Sequence, residues 1–163
     1  MVRDKIKDRQ NSVRIYDEEG FLQRAACICV KNGAEDEILL VSSSRHTDQW
    51  IVPGGGVEPE ETHSVAAMRE VVEEAGVKGH IDRCLGVFQA SAYFIPQSVN
   101  EERRTRTVVY VLMVTEEMSE WEDSKNIGRR RKWFGLEEAF EQLAQHKPIQ
   151  LDYLQHMRLK HKV

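Results

Sequence analysis

The stretch REVVEEAG, residues 69–76, crowds three glutamates into a short span. On a helix, Glu70, Glu73 and Glu74 stand at i, i+3 and i+4 and share one face, where like charges repel by roughly 0.2–0.5 kcal/mol per pair. Clustered carboxylate oxygens are what hard cations such as Mg²⁺ require, and that ion keeps several waters while bridging to substrate phosphates. A divalent cation would offset the repulsion. The plain alternative is a solvated acidic helix face. Arg69 reads in the first instance as an i,i+4 partner of Glu73.

The helix that must carry these groups runs from Ser64 to Ala75. Thr62 serves as its N-cap and Gly76 as its C′ residue. Val65, Met68, Val72 and Ala75 form an apolar stripe expected to face the core, which leaves the glutamates away from most of it. Upstream, HTDQWIVPGGGVEPEET reads as a loop punctuated by Pro53, three glycines and Pro59. RAACICV (24–30) and EILLVSSS (37–44) read as strands of a hairpin around KNGAED. After Gly76, HIDRCLGVFQASAYF should hold one or two strands, and TVVYVLMVTEE (107–117) is a strongly β-branched one. WEDSKNIGRRRKWFG reads as a polar, basic segment leading into a strand at Lys132–Phe134. Helices are expected at Leu136–Gln145 and in IQLDYLQHMRLKHKV. This order of elements implies a mixed α/β (α+β) architecture. With no repeat or linker, residues 13–163 are expected to form one domain after a flexible polar arm, residues 1–12.

With 163 residues, 40% hydrophobic and 31% charged, the composition is that of an ordinary soluble globular chain. The net charge of -4 argues against a general nucleic-acid or membrane binder. No apolar run approaches the ~20 residues of a membrane span, and MVRDKIKDRQNS lacks the apolar stretch of a signal peptide. The expected location is cytoplasmic, with RRRK at 129–132 leaving nuclear import open. Cys27, Cys29 and Cys84 show no metal spacing and read as buried reduced thiols, the first two on one face of a strand.

Read outward from the helix, GGVEPEETHSVAAMREVVEEAGV (55–77) resembles the Nudix box, whose positions are filled by Gly55, Glu61, Arg69, Glu70, Val71, Glu73, Glu74, Gly76 and Val77. The resemblance implies a Nudix fold, a mixed β-sheet sandwiched between helices with a loop–helix–loop catalytic motif. It also implies hydrolysis of a phosphoanhydride with Mg²⁺ or Mn²⁺. Glu70, Glu74 and the Gly54 carbonyl match the metal-ligand positions, Arg69 the arginine that orients the glutamates, and Glu73 the general base. Phosphoryl transfer depends mainly on positioning and charge stabilisation, so few covalent participants are needed.

Further stretches, VSSSRHTDQWIVPGGGVEPEE, EEAGVKG, WEDSKNIGRRRKWF and HKPIQ, resemble the diphosphoinositol polyphosphate phosphohydrolases from about Arg14 to Pro148. That family removes the terminal phosphate of inositol pyrophosphates and cleaves diadenosine polyphosphates, and some members act on capped RNA. Its inositol-phosphate contacts would fall on Arg14, Arg24, Ser43, Ser44, Arg45, Arg103, Arg104, Arg129 and Lys147, a cradle suited to phosphate because guanidinium binds it bidentately. Two stretches depart from the family. QASAYFIPQSVNEE (89–102) replaces a short charged turn, and Tyr93, Phe94 and Ile95 there could extend a strand, cap the pocket, meet a partner or tuck into a surface loop. Leu22 and Gln23 stand where lysines are common. The rival readings are a hydrolase of dinucleoside polyphosphates or RNA caps, and a non-catalytic inositol polyphosphate- or RNA-binding module. Against the binding module stand Glu61, Glu70, Glu73 and Glu74, all present. A monomer is expected.

Overall fold

AACICV is apolar at every position, which suits a strand covered on both faces. In the computed structural model, which describes residues 13–94 and 101–161, this run lies in β1 (Leu22–Val30). Alternation sends Ala26, Ile28 and Val30 into one core cluster and Ala25, Cys27 and Cys29 into another. The second cluster is closed by α1 (His63–Ala75), and the first by α3 (Leu136–His146) and α4 (Pro148–His161). The arrangement is helix, sheet, helix. Each fully buried Ile, Leu or Val contributes about 1.5–3 kcal/mol.

β1 and β2 (Glu37–Ser42) pair antiparallel, as the hairpin reading expects. Ser43 and Ser44 fall just beyond β2, so that strand is shorter than its sequence signal. The loop expected around the glycines is partly strand, with β3 (Trp50–Ile51) on β2 and β4 (Gly54–Gly56) on β1. Glycine has low strand propensity, and pairing with Arg24, Ala25 and Ala26 fixes the extended form here. A single strand β5 (Val77–Phe94) follows α1, and it pairs along its whole length with β6 (Glu101–Glu117). Gln89–Phe94 therefore extends a strand; residues 95–100 lie outside the described ones, as does the arm 1–12. β6 pairs in parallel with β1 from Leu22↔Thr105 to Val30↔Met113. The sheet order is β3-β2-β1-β6-β5.

The basic segment holds an unexpected short helix, α2 (Glu122–Ile127), with two acids in its first turn and Gly128 in the left-handed region at its end. β7 (Arg131–Gly135) then pairs with β2. Cys84 is exposed, against the expectation that all three thiols are core, because β5 is an edge strand and turns this residue outward. Among the described residues no helix is long and apolar enough to cross a membrane.

Candidate active site

Local chemistry sets the ends of α1. Thr62 Oγ1 accepts from Val65 N at 3.2 Å, and Gly76, at φ 66°, donates its amide to Val71 O and Val72 O. Of the expected stripe Ala75 is buried and Val72 half-buried, but the centre of the buried face lies elsewhere. Val65 and Met68 are 54% and 40% exposed, while Ala66, Ala67, Val71 and Ala75 pack under β1. Small alanines let the helix approach the sheet closely, and that approach carries Glu70 and Glu74 inward, to 1% and 7% exposure.

What receives them is β4, a strand without side chains. Gly54 N donates to Glu74 Oε1 at 2.8 Å. A Cβ on Gly55 would lie 2.4 Å from Glu70 Oε1, so only glycine leaves room for that carboxylate. A Cβ on Gly54 would meet Ala26 Cβ at 2.6 Å and Ala25 O at 2.8 Å.

Arg69 ties the acids together. Its Nε and Nη2 donate to the two oxygens of Glu61 at 2.7 and 2.9 Å. Its Nη1 reaches Glu70 Oε1 at 3.0 Å and Glu73 Oε2 at 3.4 Å, and Nη2 also donates to Gly56 O at 3.0 Å. The Glu61 hydrogen bonds, followed by the charges of Glu70 and Glu61, outweigh burial and raise the guanidinium pKa further above its already high value. Arg69 is thus the i,i+4 partner of Glu73 and at the same time bonds Glu61 and Glu70.

Among the described residues no three His, Cys, Asp or Glu side chains converge into a self-sufficient ion site. The donors on offer are the carboxylates of Glu70 and Glu74 and the backbone of β4, where Gly54 lies. Oxygen donors few in number, in a cradle that a single added Cβ would fill, fit a hard cation that completes its shell with water and substrate oxygens.

The expected phosphate contacts divide into groups. Tyr16 pairs antiparallel with Leu22 and Gln23 N donates to Ile15 O, a register that sets Arg14 beside Arg24. Arg24 lies opposite Gly56 on the α4 face of β1, and its charge reaches the buried Tyr153. Gln150 Oε1 accepts from Val52 N at 2.8 Å, which ties the start of α4, and Lys147 just before it, to the chain entering β4. Ser43 Oγ accepts from the amides of Arg45 and His46 at 3.3 Å each, shaping the loop that leaves Arg45 exposed and Ser44 half-buried. Arg24, with Arg14 beside it, and Lys147 thus border the glycine strand, while Arg45 stands in the loop after β2.

Arg104 and Arg129 are held differently. Alternation along β6 puts Arg104 on the α1 face, with Tyr110 and Leu112. There it donates to Glu19 O at 2.6 Å and lies 4.5 Å from the centre of the Phe21 ring. Arg129 is 6% exposed, bonded to Asp123 at 3.0 Å and Ser42 O at 2.7 Å, with Glu74 Oε2 at 3.8 Å. Arg103 is in β6 opposite Ala92, outside the residues whose side chains are described. Two further groups reach the helix, Trp121, which the sequence does not single out, and Arg131 of the RRRK cluster: Trp121 Nε1 donates to Glu74 O at 2.8 Å, and Arg131 to Ala75 O at 3.0 Å. No local pattern assigns either to the end of α1, because both lie far along the chain from it.

The family model for the NUDIX domain matches residues 21–157. Diphosphoinositol polyphosphate phosphohydrolase 2 of Homo sapiens is 54% identical over 154 residues, covering 94% of this chain and 80% of that protein. Diphosphoinositol polyphosphate phosphohydrolase 3-beta of Homo sapiens is 53% identical, over 94% of this chain and 88% of its own. Among solved structures, a NUDIX hydrolase from Nitrosomonas europaea shares the fold at a TM-score of 0.62 and 21% identity, covering 85% of this chain and 88% of that one. The expected mixed sheet between helices is therefore the Nudix fold, and the chain belongs to the Nudix hydrolases, within them to the diphosphoinositol polyphosphate phosphohydrolase family.

Proposed function

We propose that this hydrolase removes the terminal phosphate of diphosphoinositol polyphosphates with Mg²⁺, or Mn²⁺ in its place. The observation that carries the reading is the pair Glu70 and Glu74, buried against β4, with Glu70 joined through Arg69 to Glu73 and Glu61 and Glu74 bonded to Gly54 N. Nudix hydrolases generally use a divalent ion, which when bound would supply charge neutralisation on the phosphates and a more acidic water. Glu70 and Glu74, with the Gly54 carbonyl, would hold it. Arg69 keeps the carboxylates in register. Glu73 takes the proton as a water oxygen attacks the terminal phosphorus; the bridging P–O bond breaks and orthophosphate leaves.

The relatives' names support the substrate class, and the cations near β4 and in the loop after β2 are consistent with it. Arg14, Arg24, Arg45 and Lys147, with Ser43 and Ser44, would receive the ring phosphates. The same cations would serve a diadenosine polyphosphate, which we assign as a side activity.

The deciding experiment measures phosphate release from a diphosphoinositol pentakisphosphate, with Mg²⁺ and with chelator, beside a diadenosine polyphosphate and a capped RNA at equal concentration. Faster metal-dependent release from the inositol compound supports the proposal. Turnover of only the dinucleotide or the cap would keep the chemistry and discard the substrate. Tight metal-dependent binding without release would favour the binding module.

A further inference from the structure

α1 ends without a basic residue in its last turn, although its final carbonyls and the negative end of its dipole call for donors there. The Gly76 amide serves Val71 O and Val72 O, and Met118 N serves Gly76 O at 2.8 Å. Glu74 O and Ala75 O take side chains instead. Trp121 Nε1 donates to Glu74 O at 2.8 Å, and Arg131 Nη1 donates to Ala75 O at 3.0 Å and Gly76 O at 3.1 Å. The two donors are stacked, with the guanidinium carbon 4.3 Å from the indole centroid. A Cβ on Gly76 would come within 2.6 Å of that indole, so the helix end and the ring are in close contact.

From this geometry we infer that Trp121 and Arg131 are positioning residues: a stacked clamp on the last turn of α1 that fixes the carboxylates of Glu73 and Glu74 relative to β4. The inference rests on the hydrolase reading above. Glu74 is held at both ends, its carbonyl by Trp121 and its carboxylate by Gly54 N. The outer side of α1, at Val65 and Met68, is open to solvent, so neighbours on that side do little to set the helix. Its C-terminal turn is gripped from the α2–β7 segment. A shift of the helix along or about its axis would move Glu73 and Glu74 together, and misplacement by about 1 Å can cost on the order of 100-fold in rate. The two donors are stacked on each other and hold neighbouring carbonyls of one turn, so their removal should be non-additive.

The test uses Trp121→Phe, which keeps a ring but removes the N–H, Arg131→Met, which removes the guanidinium donors, and Arg131→Lys, which keeps charge but not the fork. For each, kcat and KM are measured on the turned-over substrate, Mg²⁺ alone is titrated by calorimetry, and amide hydrogen exchange is followed at the end of α1. We expect Trp121→Phe and Arg131→Met to lower kcat about tenfold or more with KM little changed. Mg²⁺ should bind more weakly and the Ala75 and Gly76 amides should exchange faster, with Arg131→Lys falling between. Variants that melt earlier yet keep wild-type kcat and Mg²⁺ affinity while folded would overturn the clamp. Should Arg131→Met fail to fold, Trp121→Phe decides alone. If the wild type turns over no substrate, the hydrolase reading fails, and the clamp is then judged by Mg²⁺ affinity and exchange, where wild-type values in the variants overturn it.

Discussion

Arg69 grips Glu61 with two prongs, Nε on one carboxylate oxygen at 2.7 Å and Nη2 on the other at 2.9 Å. This planar contact sets the guanidinium so that Nη1 points at Glu70 and Glu73. Lysine carries a point charge without the fork. Arg69→Lys should therefore lower kcat/KM by roughly 10–100-fold while preserving the fold, as judged by circular dichroism and steady-state kinetics. A variant within twofold of wild type would show that charge alone suffices.

Glu73 is the proposed proton acceptor, and Gln keeps its shape. Glu73→Gln should bind Mg²⁺ as the wild type does, through Glu70 and Glu74, yet lose about 100- to 10,000-fold in kcat. Calorimetric Mg²⁺ titration beside single-turnover kinetics checks both halves. An unchanged rate assigns the proton to another group.

Gly55→Ala places a methyl 2.4 Å from Glu70 Oε1. Glu70 is buried and has little room to retreat. The expected outcome is a stability loss of about 1–3 kcal/mol from overpacking, with a disproportionate fall in Mg²⁺ affinity. Thermal melts with and without Mg²⁺ measure both, and the ion's stabilising shift should shrink in the variant.

Arg45 is exposed in the loop after β2. Arg45→Ala should raise KM for a polyphosphate substrate severalfold at low salt, and the difference should narrow as salt screens the charge. A defect of equal size at every ionic strength would point to a disturbed loop.

The thiols should divide sharply. Burial pushes Cys27 up to about 12 and Cys29 also well above its ordinary value, in the second case with help from Cys27. Cys84 is exposed. Near pH 8 the folded protein should titrate one thiol with Ellman's reagent and the denatured protein three.

What the sequence discloses depends on how local its cause is. Thr62 and Gly76 were legible because a cap is decided by the residues beside it. The face of α1 was not. Val65, Met68, Val72 and Ala75 look like a core stripe, but of these only Ala75 is buried, and the helix turns inward Ala66, Ala67 and Val71 together with Glu70 and Glu74, which the side-chain-free strand β4 leaves room to receive. A functional site breaks the pattern that hydrophobicity alone would set. β4 is not legible in the sequence because three glycines carry no strand signal and the pairing with β1 is non-local. The RRRK cluster reads as part of a polar, basic segment, yet Arg129 is buried beside Asp123, Arg130 donates to Thr47 O and lies over Trp50, and Arg131 caps α1. Each of those partners lies elsewhere in the chain, where charge counting cannot see it.

The parallel ladder between β1 and β6 has a consequence for synthesis. Its partners, such as Leu22 and Thr105, bracket the whole glycine strand and α1, and closing so wide a loop is slow. A chain leaving the ribosome N-terminus first displays Glu70, Glu73 and Glu74 well before β6 has been made, and before Trp121 and Arg131 exist. The nascent polypeptide therefore carries its acids for a time before the residues that clamp α1 exist, and the helix can be held in its final place only after β7 has been made.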